Sequence, residues 1–88
     1  MSYSIEWECN SWEELNSLQK DIAQRIWLKI DSIKENPFRF IERLKGMPES
    51  KLRIGDYRVI LLVDNNGKKL KIQSVSHRKN IYKKYKSD

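Results

Sequence analysis

The residues of this chain whose types could do chemistry gather in its second half: Lys51, Arg53, Arg58, His77, Arg78, Lys79, Tyr82 and Tyr85. They are cations and phenols with one histidine, and that set narrows the reactions. A single histidine excludes a two-histidine acid–base pair. No HExxH, Cys/His group or carboxylate cluster offers a metal site. No P-loop, GxGxxG or Ser–His–Asp arrangement is signalled. One metal-free reaction suits such a set, the cleavage of RNA by its own 2′-OH. Attack on the adjacent phosphate builds a dianionic, pentacoordinate phosphorus and expels the 5′-oxygen. Arginines stabilise that charge. A lysine or tyrosine surrounded by cations can help to deprotonate the 2′-OH, and a tyrosine can stack on an unstacked base. The reaction is expected to need no cofactor. Plain RNA or DNA binding uses the same cations and aromatics, and chemistry alone does not separate the two.

The charge distribution points to the same kind of partner. Residues 1–44 carry 6 Lys/Arg against 8 Asp/Glu, whereas residues 45–88 carry 12 against 4. The basic field therefore sits on the half that holds the candidate residues. It suits a polyanion, nucleic acid first and an acidic protein segment second. Eighty-eight residues allow one domain, 1–88, with one core. The lone cysteine, Cys9, excludes an internal disulfide. No apolar run approaches a membrane span and no signal peptide is visible, so a soluble, cytoplasmic protein is expected.

Three strand-like runs must position the cations. Residues 51–54 alternate, with Lys51 and Arg53 on one face and Leu52 and Ile54 on the other. Residues 57–63 are β-branched and aliphatic, the pattern of a central strand buried on both sides. Residues 70–76 alternate again. Gly55-Asp56 can close a two-residue hairpin, and Asp64-Asn65-Asn66-Gly67 is the strongest turn signal in the chain. Arg58 is out of place in this pattern, in line with Ile60 and Leu62. A guanidinium there needs a partner or a solvent-filled concavity. It either snorkels at the strand end, pairs with a carboxylate such as Asp56, or joins Lys51, Arg53, Arg78 and Lys79 in a site.

The first half supplies the support. Tyr3, Ile5 and Trp7 alternate as a first strand. Ser11 with Glu14 forms a capping-box pattern ahead of the Trp12, Leu15 and Leu18 stripe. A second helix is expected over residues 20–35, with Ile22, Ile26, Ile30 and Ile33 on its core face and Asn36-Pro37 as its stop. Residues 38–50 read as an irregular connection with a helical turn at 41–44. Residues 79–85 permit a short C-terminal helix or turn. The order β-α-α-β-β-β predicts an α+β domain: a helical hairpin packed on one face of a small, mainly antiparallel sheet, with a short C-terminal helix or tail.

In this order the segments Leu44-Lys45-Gly46-Met47-Pro48, KLRIGDYRVIL from Lys51, and Ser76-His77-Arg78-Lys79-Asn80-Ile81-Tyr82 resemble the RelE/ParE toxin superfamily, and most closely its RelE branch. The resemblance covers nearly the whole chain. It implies a RelE-like fold and a toxin of a toxin–antitoxin module that acts as a ribosome-dependent mRNA endonuclease. Its partners would be a cognate RelB-like antitoxin, the ribosome and mRNA, and no membrane. By position, Lys51 matches a functional lysine of that family and Arg58 its strand arginine near the scissile phosphate. Arg78 matches the arginine on the last strand that stabilises the phosphate or leaving group, and Tyr82 the C-terminal tyrosine, with Tyr85 as competitor. Lys45, Arg53, His77, Lys79, Lys83 and Tyr85 are expected to contact RNA. Glu49 stands where the family pattern has a second lysine. The general base therefore stays open among Lys51, Tyr82 and His77. Two other readings remain: a ParE-like toxin without enzymatic activity that acts on DNA gyrase, and a basic RNA-binding domain.

Overall fold

The computed structural model of the chain describes residues 2–84, with side chains as far as Ile81. The elements follow the order β1 (Ser4–Trp7), α1 (Ser11–Asn16), α2 (Lys20–Ser32), a 3₁₀ turn (Pro37–Arg39), β2 (Ile41–Arg43), β3 (Ser50–Ile54), β4 (Tyr57–Asp64), β5 (Lys69–His77) and α3 (Arg78–Lys84). The five strands form one mixed sheet in the order β1-β5-β4-β3-β2, antiparallel except where β1 runs beside β5. The helical hairpin covers one face. Ile26, Ile30 and Ile33, together with Leu15 of α1, meet Leu52, Ile54, Val59, Leu61, Leu70, Ile72 and Val75 from the strands. The isoleucine spacing of α2 is thus a core stripe. No helix among the described residues is long and apolar enough to cross a membrane.

Two local expectations are corrected. Residues 41–44 are not a helical turn: Ile41, Glu42 and Arg43 pair with Leu52, Lys51 and Ser50. Three residues are too few to show a period, and the edge of β3 supplies the hydrogen bonds that set their conformation. Nor do Ser11 and Glu14 cap α1, whose N-cap is Asn10 without a side-chain bond. Both side chains turn to β5 instead. Ser11 is fully buried, its Oγ 2.8 Å from the Ile72 carbonyl and 2.7 Å from that of Glu8. Glu14 Oε1 accepts the Val75 N–H at 2.9 Å and the Ser74 hydroxyl at 3.2 Å. β1 pairs only with residues 69–72 of β5. Beyond that point the edge of β5 would bury unpaired backbone groups, and α1 satisfies them in place of a strand.

One irregularity decides which side chains face which way. Ile60 pairs with Ser74 but Leu61 pairs with Ile72, so Gln73 is an extra residue, a β-bulge. Directly opposed residues share a face. Val63, Leu61, Val59 and Tyr57 therefore share the hairpin face with Leu70, Ile72, Val75 and His77. On the opposite face Lys51 lies beside Ile60, and Arg53 beside Arg58 and Ser76. There Ile60, Leu44 and Ile81 of α3 form a second, smaller core, with Met47 packed against it.

Candidate functional site

The opposite face carries three of the cations that the sequence singles out, Lys51, Arg53 and Arg58. Lys51 is 3% exposed and Arg58 is 7% exposed, so two cations are buried on the sheet face that also carries Ile60, the strand neighbour of Lys51. Burying a guanidinium is costly unless its donors are satisfied. Arg58 meets part of that demand by folding back onto the β3–β4 turn. Its Nη1 donates to the Gly55 carbonyl at 2.9 Å and to the Tyr57 carbonyl at 2.9 Å. Its Nε is also buried and has no hydrogen-bond partner among the described residues. Of the alternatives that the sequence left open for Arg58, the pairing with Asp56 is not made among the described residues. Asp56 lies toward Arg78 instead, Oδ1 3.9 Å from Nε, with both side chains more than half exposed.

Arg78 itself is the first residue of α3 and not part of the last strand, which ends at His77. Its backbone N–H donates to the Asp56 carbonyl at 2.8 Å, so the chain turns into the helix beside the β3–β4 turn. Arg53, Lys45 and Lys79 are exposed. Lys45 lines an open concavity with Arg43, Leu44, Gly46, Met47 and Pro48, next to the small core. Glu49, in the place of the missing second lysine, has Oε1 buried without a partner among the described residues.

His77 is separated from this group. The bulge puts it on the hairpin face, edge-on to the Tyr57 ring at 5.4 Å between centroids. Its Nδ1 accepts the Lys79 N–H at 3.2 Å, which leaves the proton of the neutral ring on Nε2. Tyr82 and Lys83 lie on α3, but their side chains fall outside the described residues, as does the whole of Tyr85. Two neighbours of the site carried no sequence signal for it. Ser76 is the cross-strand partner of Arg58. Arg25 of α2 brings its Nη1 to 3.8 Å from the position a Gly55 Cβ would occupy, a third guanidinium at the same turn from the other face. Among the described residues no three His, Cys, Asp or Glu side chains group as metal ligands.

The model of the family described as the ParE toxin of the type II toxin–antitoxin system, parDE, matches residues 5–82. The chain belongs to this family. The match takes in Lys45, Lys51, Arg53, Arg58, His77, Arg78, Lys79 and Tyr82, and stops short of Lys83 and Tyr85. Among solved structures, the toxin is similar to a chain of the archaeal RelE–RelB complex from Pyrococcus horikoshii. Identity is 28% and the TM-score 0.75, over 91% of this chain and 99% of that one. The isolated Escherichia coli RelE toxin aligns at 22% identity and TM-score 0.76, over 94% of each chain. The YoeB/ParE toxin from Agrobacterium tumefaciens aligns at 20% identity and TM-score 0.71, over 84% of this chain and 96% of that one. The last two likenesses are of fold. No curated protein matches the sequence. The toxin thus has the RelE/ParE superfamily fold: a mixed five-stranded sheet with the helical hairpin on one side and α3 on the other.

Proposed function

We propose that this toxin is an endonuclease that cleaves mRNA in the ribosomal A site, in the cytoplasm, and so stops translation. The observation that carries the reading is the buried Arg58 guanidinium, with its Nε left without a partner among the described residues, on the face it shares with Lys51 and Arg53. A clamp for the β3–β4 turn would account for Nη1 alone. A donor kept buried and unpaired is costly, and an oxyanion that arrives with the substrate would relieve that cost.

In this reading Arg58 and Arg78 hold the scissile phosphate and the charge that grows on it. Lys51 or Tyr82 takes the proton from the 2′-OH. The 2′-oxygen bonds to phosphorus, the bond to the 5′-oxygen breaks, and the departing oxygen takes up a proton. The products are a 2′,3′-cyclic phosphate and a 5′-hydroxyl. Lys45, Arg53, Lys79, Lys83 and Tyr85 serve the RNA on either side, and His77, turned to the hairpin face, has no part in the bond exchange. A cognate RelB-like antitoxin is the partner that restrains the toxin. Its acidic or amphipathic segment folds on binding and covers the basic face.

The deciding experiment maps mRNA 3′ ends on programmed ribosomes incubated with the toxin. Cuts within the A-site codon, ending in 2′,3′-cyclic phosphate, are expected. The ParE description of the matched family favours a second reading, action on DNA gyrase without catalysis. Uncut mRNA together with inhibited supercoiling would select it. Expression with and without the neighbouring open reading frame tests the antitoxin. Harmless expression of the chain alone, with nothing co-purifying, would remove the toxin–antitoxin reading.

A further inference from the structure

Three consecutive carbonyls of the β3–β4 turn all accept from the two arginines that flank the proposed scissile phosphate. Gly55 and Tyr57 accept from Arg58 Nη1, and Asp56 accepts from the Arg78 N–H. We infer that this turn is a positioning device for one phosphate oxyanion, and that Gly55 is its positioning residue. The inference deepens the proposed function and rests on it for the identity of the substrate, though not for the anion site itself.

The geometry of the guanidinium carries the argument. The group is planar and rigid, so fixing one nitrogen to two carbonyls fixes the direction of the rest. Nη1 lies on the Cδ side. The other edge, made by Nε–H and the second terminal nitrogen, is one that can grip two oxygens of a phosphate side-on. On that edge the structure leaves Nε buried and without a partner among the described residues, in a side chain more than nine-tenths buried. The turn consumes the nitrogen that the anion does not need.

Gly55 sets the direction of the turn. Its φ of +58° is left-handed, a conformation that glycine adopts freely and that asparagine tolerates better than other side chains. Space is not the reason for glycine here. The nearest atom to an added Cβ is Arg25 Nη1 at 3.8 Å, an ordinary contact. Conformation and volume can therefore be separated by choice of side chain. Gly55→Asn adds bulk but retains the left-handed turn, whereas Gly55→Val opposes it.

The test follows the Arg58 Nε–H resonance of the folded toxin by NMR during titration with inorganic phosphate, with Arg58→Lys to assign the peak. A saturable shift is expected for the wild type and for Gly55→Asn, with apparent affinity at least tenfold weaker in Gly55→Val. Backbone amide spectra check that each variant folds. If Gly55→Val does not, Gly55→Ala takes its place with the same direction of effect. On ribosomes the valine variant is expected to lower kcat more than it raises KM, and asparagine to restore kcat. A wild-type Nε–H that ignores phosphate would overturn the anion site. A folded valine or alanine variant that titrates like wild type would overturn the role of Gly55. Phosphate binding that follows this pattern without any mRNA cleavage would uphold the positioned anion site and sink the endonuclease reading instead.

Discussion

The two faces of one sheet are used in opposite ways, and β4 shows it within four residues. Val59 and Leu61 point into the hairpin core, each 0% exposed, among aliphatic and aromatic side chains. Arg58 and Ile60, alternating with them, point to the face that α3 covers, where among the described residues Leu44, Ile60 and Ile81, with Met47 against them, form the small core and Lys51 and Arg58 are buried on the same face. The first face is built to hold the fold. The second carries buried charge, which by itself is weak support for stability. Position parity along β4 should therefore decide whether a substitution damages the fold or the activity.

The largest expected effect breaks the first face. Ile30→Ala removes a fully buried side chain beneath the sheet and should cost about 2–5 kcal/mol, measured by urea unfolding. A loss below about 1 kcal/mol would mean that the hairpin does not carry the fold. On the second face, Arg58→Ala and Arg78→Ala should each leave a folded protein while cleavage falls by about 10²–10³, the usual cost of losing one group that stabilises transition-state charge. Wild-type rates from both folded variants would end the catalytic assignment.

A further substitution tests the edge that joins the two faces. Glu14→Ala removes the acceptor for the buried Val75 N–H and should lower stability by about 1–3 kcal/mol, with the cleavage rate of the folded fraction unchanged. A fall in rate larger than the loss of folded protein would tie the β5 bulge to the site. The smallest effect lies at the far ends of β1, β4 and β5. Lys69 holds the Glu6 carboxyl below its ordinary 4.5, and the Gly67 N–H holds that of Asp64 below its ordinary 3.8. Both folded values are depressed. Their contribution is therefore fully present above those ordinary values and is lost as the pH falls through the folded ones. Both groups lie at the solvent boundary, so the effect should be slight. Thermal melts of wild type and of a Glu6→Gln, Asp64→Asn double variant should converge as the pH falls through that range. Curves that stay parallel would remove these two groups from the acid response.

Much of this molecule is legible in the sequence because periodicity is a local property. The isoleucines of α2, the alternation of Tyr3, Ile5 and Trp7, and the runs that become β3, β4 and β5 each declare a buried face without reference to the rest of the chain. The concentration of cations after residue 45, the odd placement of Arg58 and the ordered motifs that mark the superfamily are equally visible there. Interactions between segments distant in sequence decided the remainder. Only the neighbouring strand makes residues 41–43 a strand, and only the open edge of β5 draws Ser11 and Glu14 away from their helix. The extra residue at Gln73 matters most. Strict alternation from Leu70 would place Ser76 on the core face and His77 beside the cations, and the bulge reverses both. The number of residues that oppose one another across a ladder is a property of two strands together. The sequence alone therefore determined which groups were available for chemistry, and the pairing of β4 with β5 decided which of them meet.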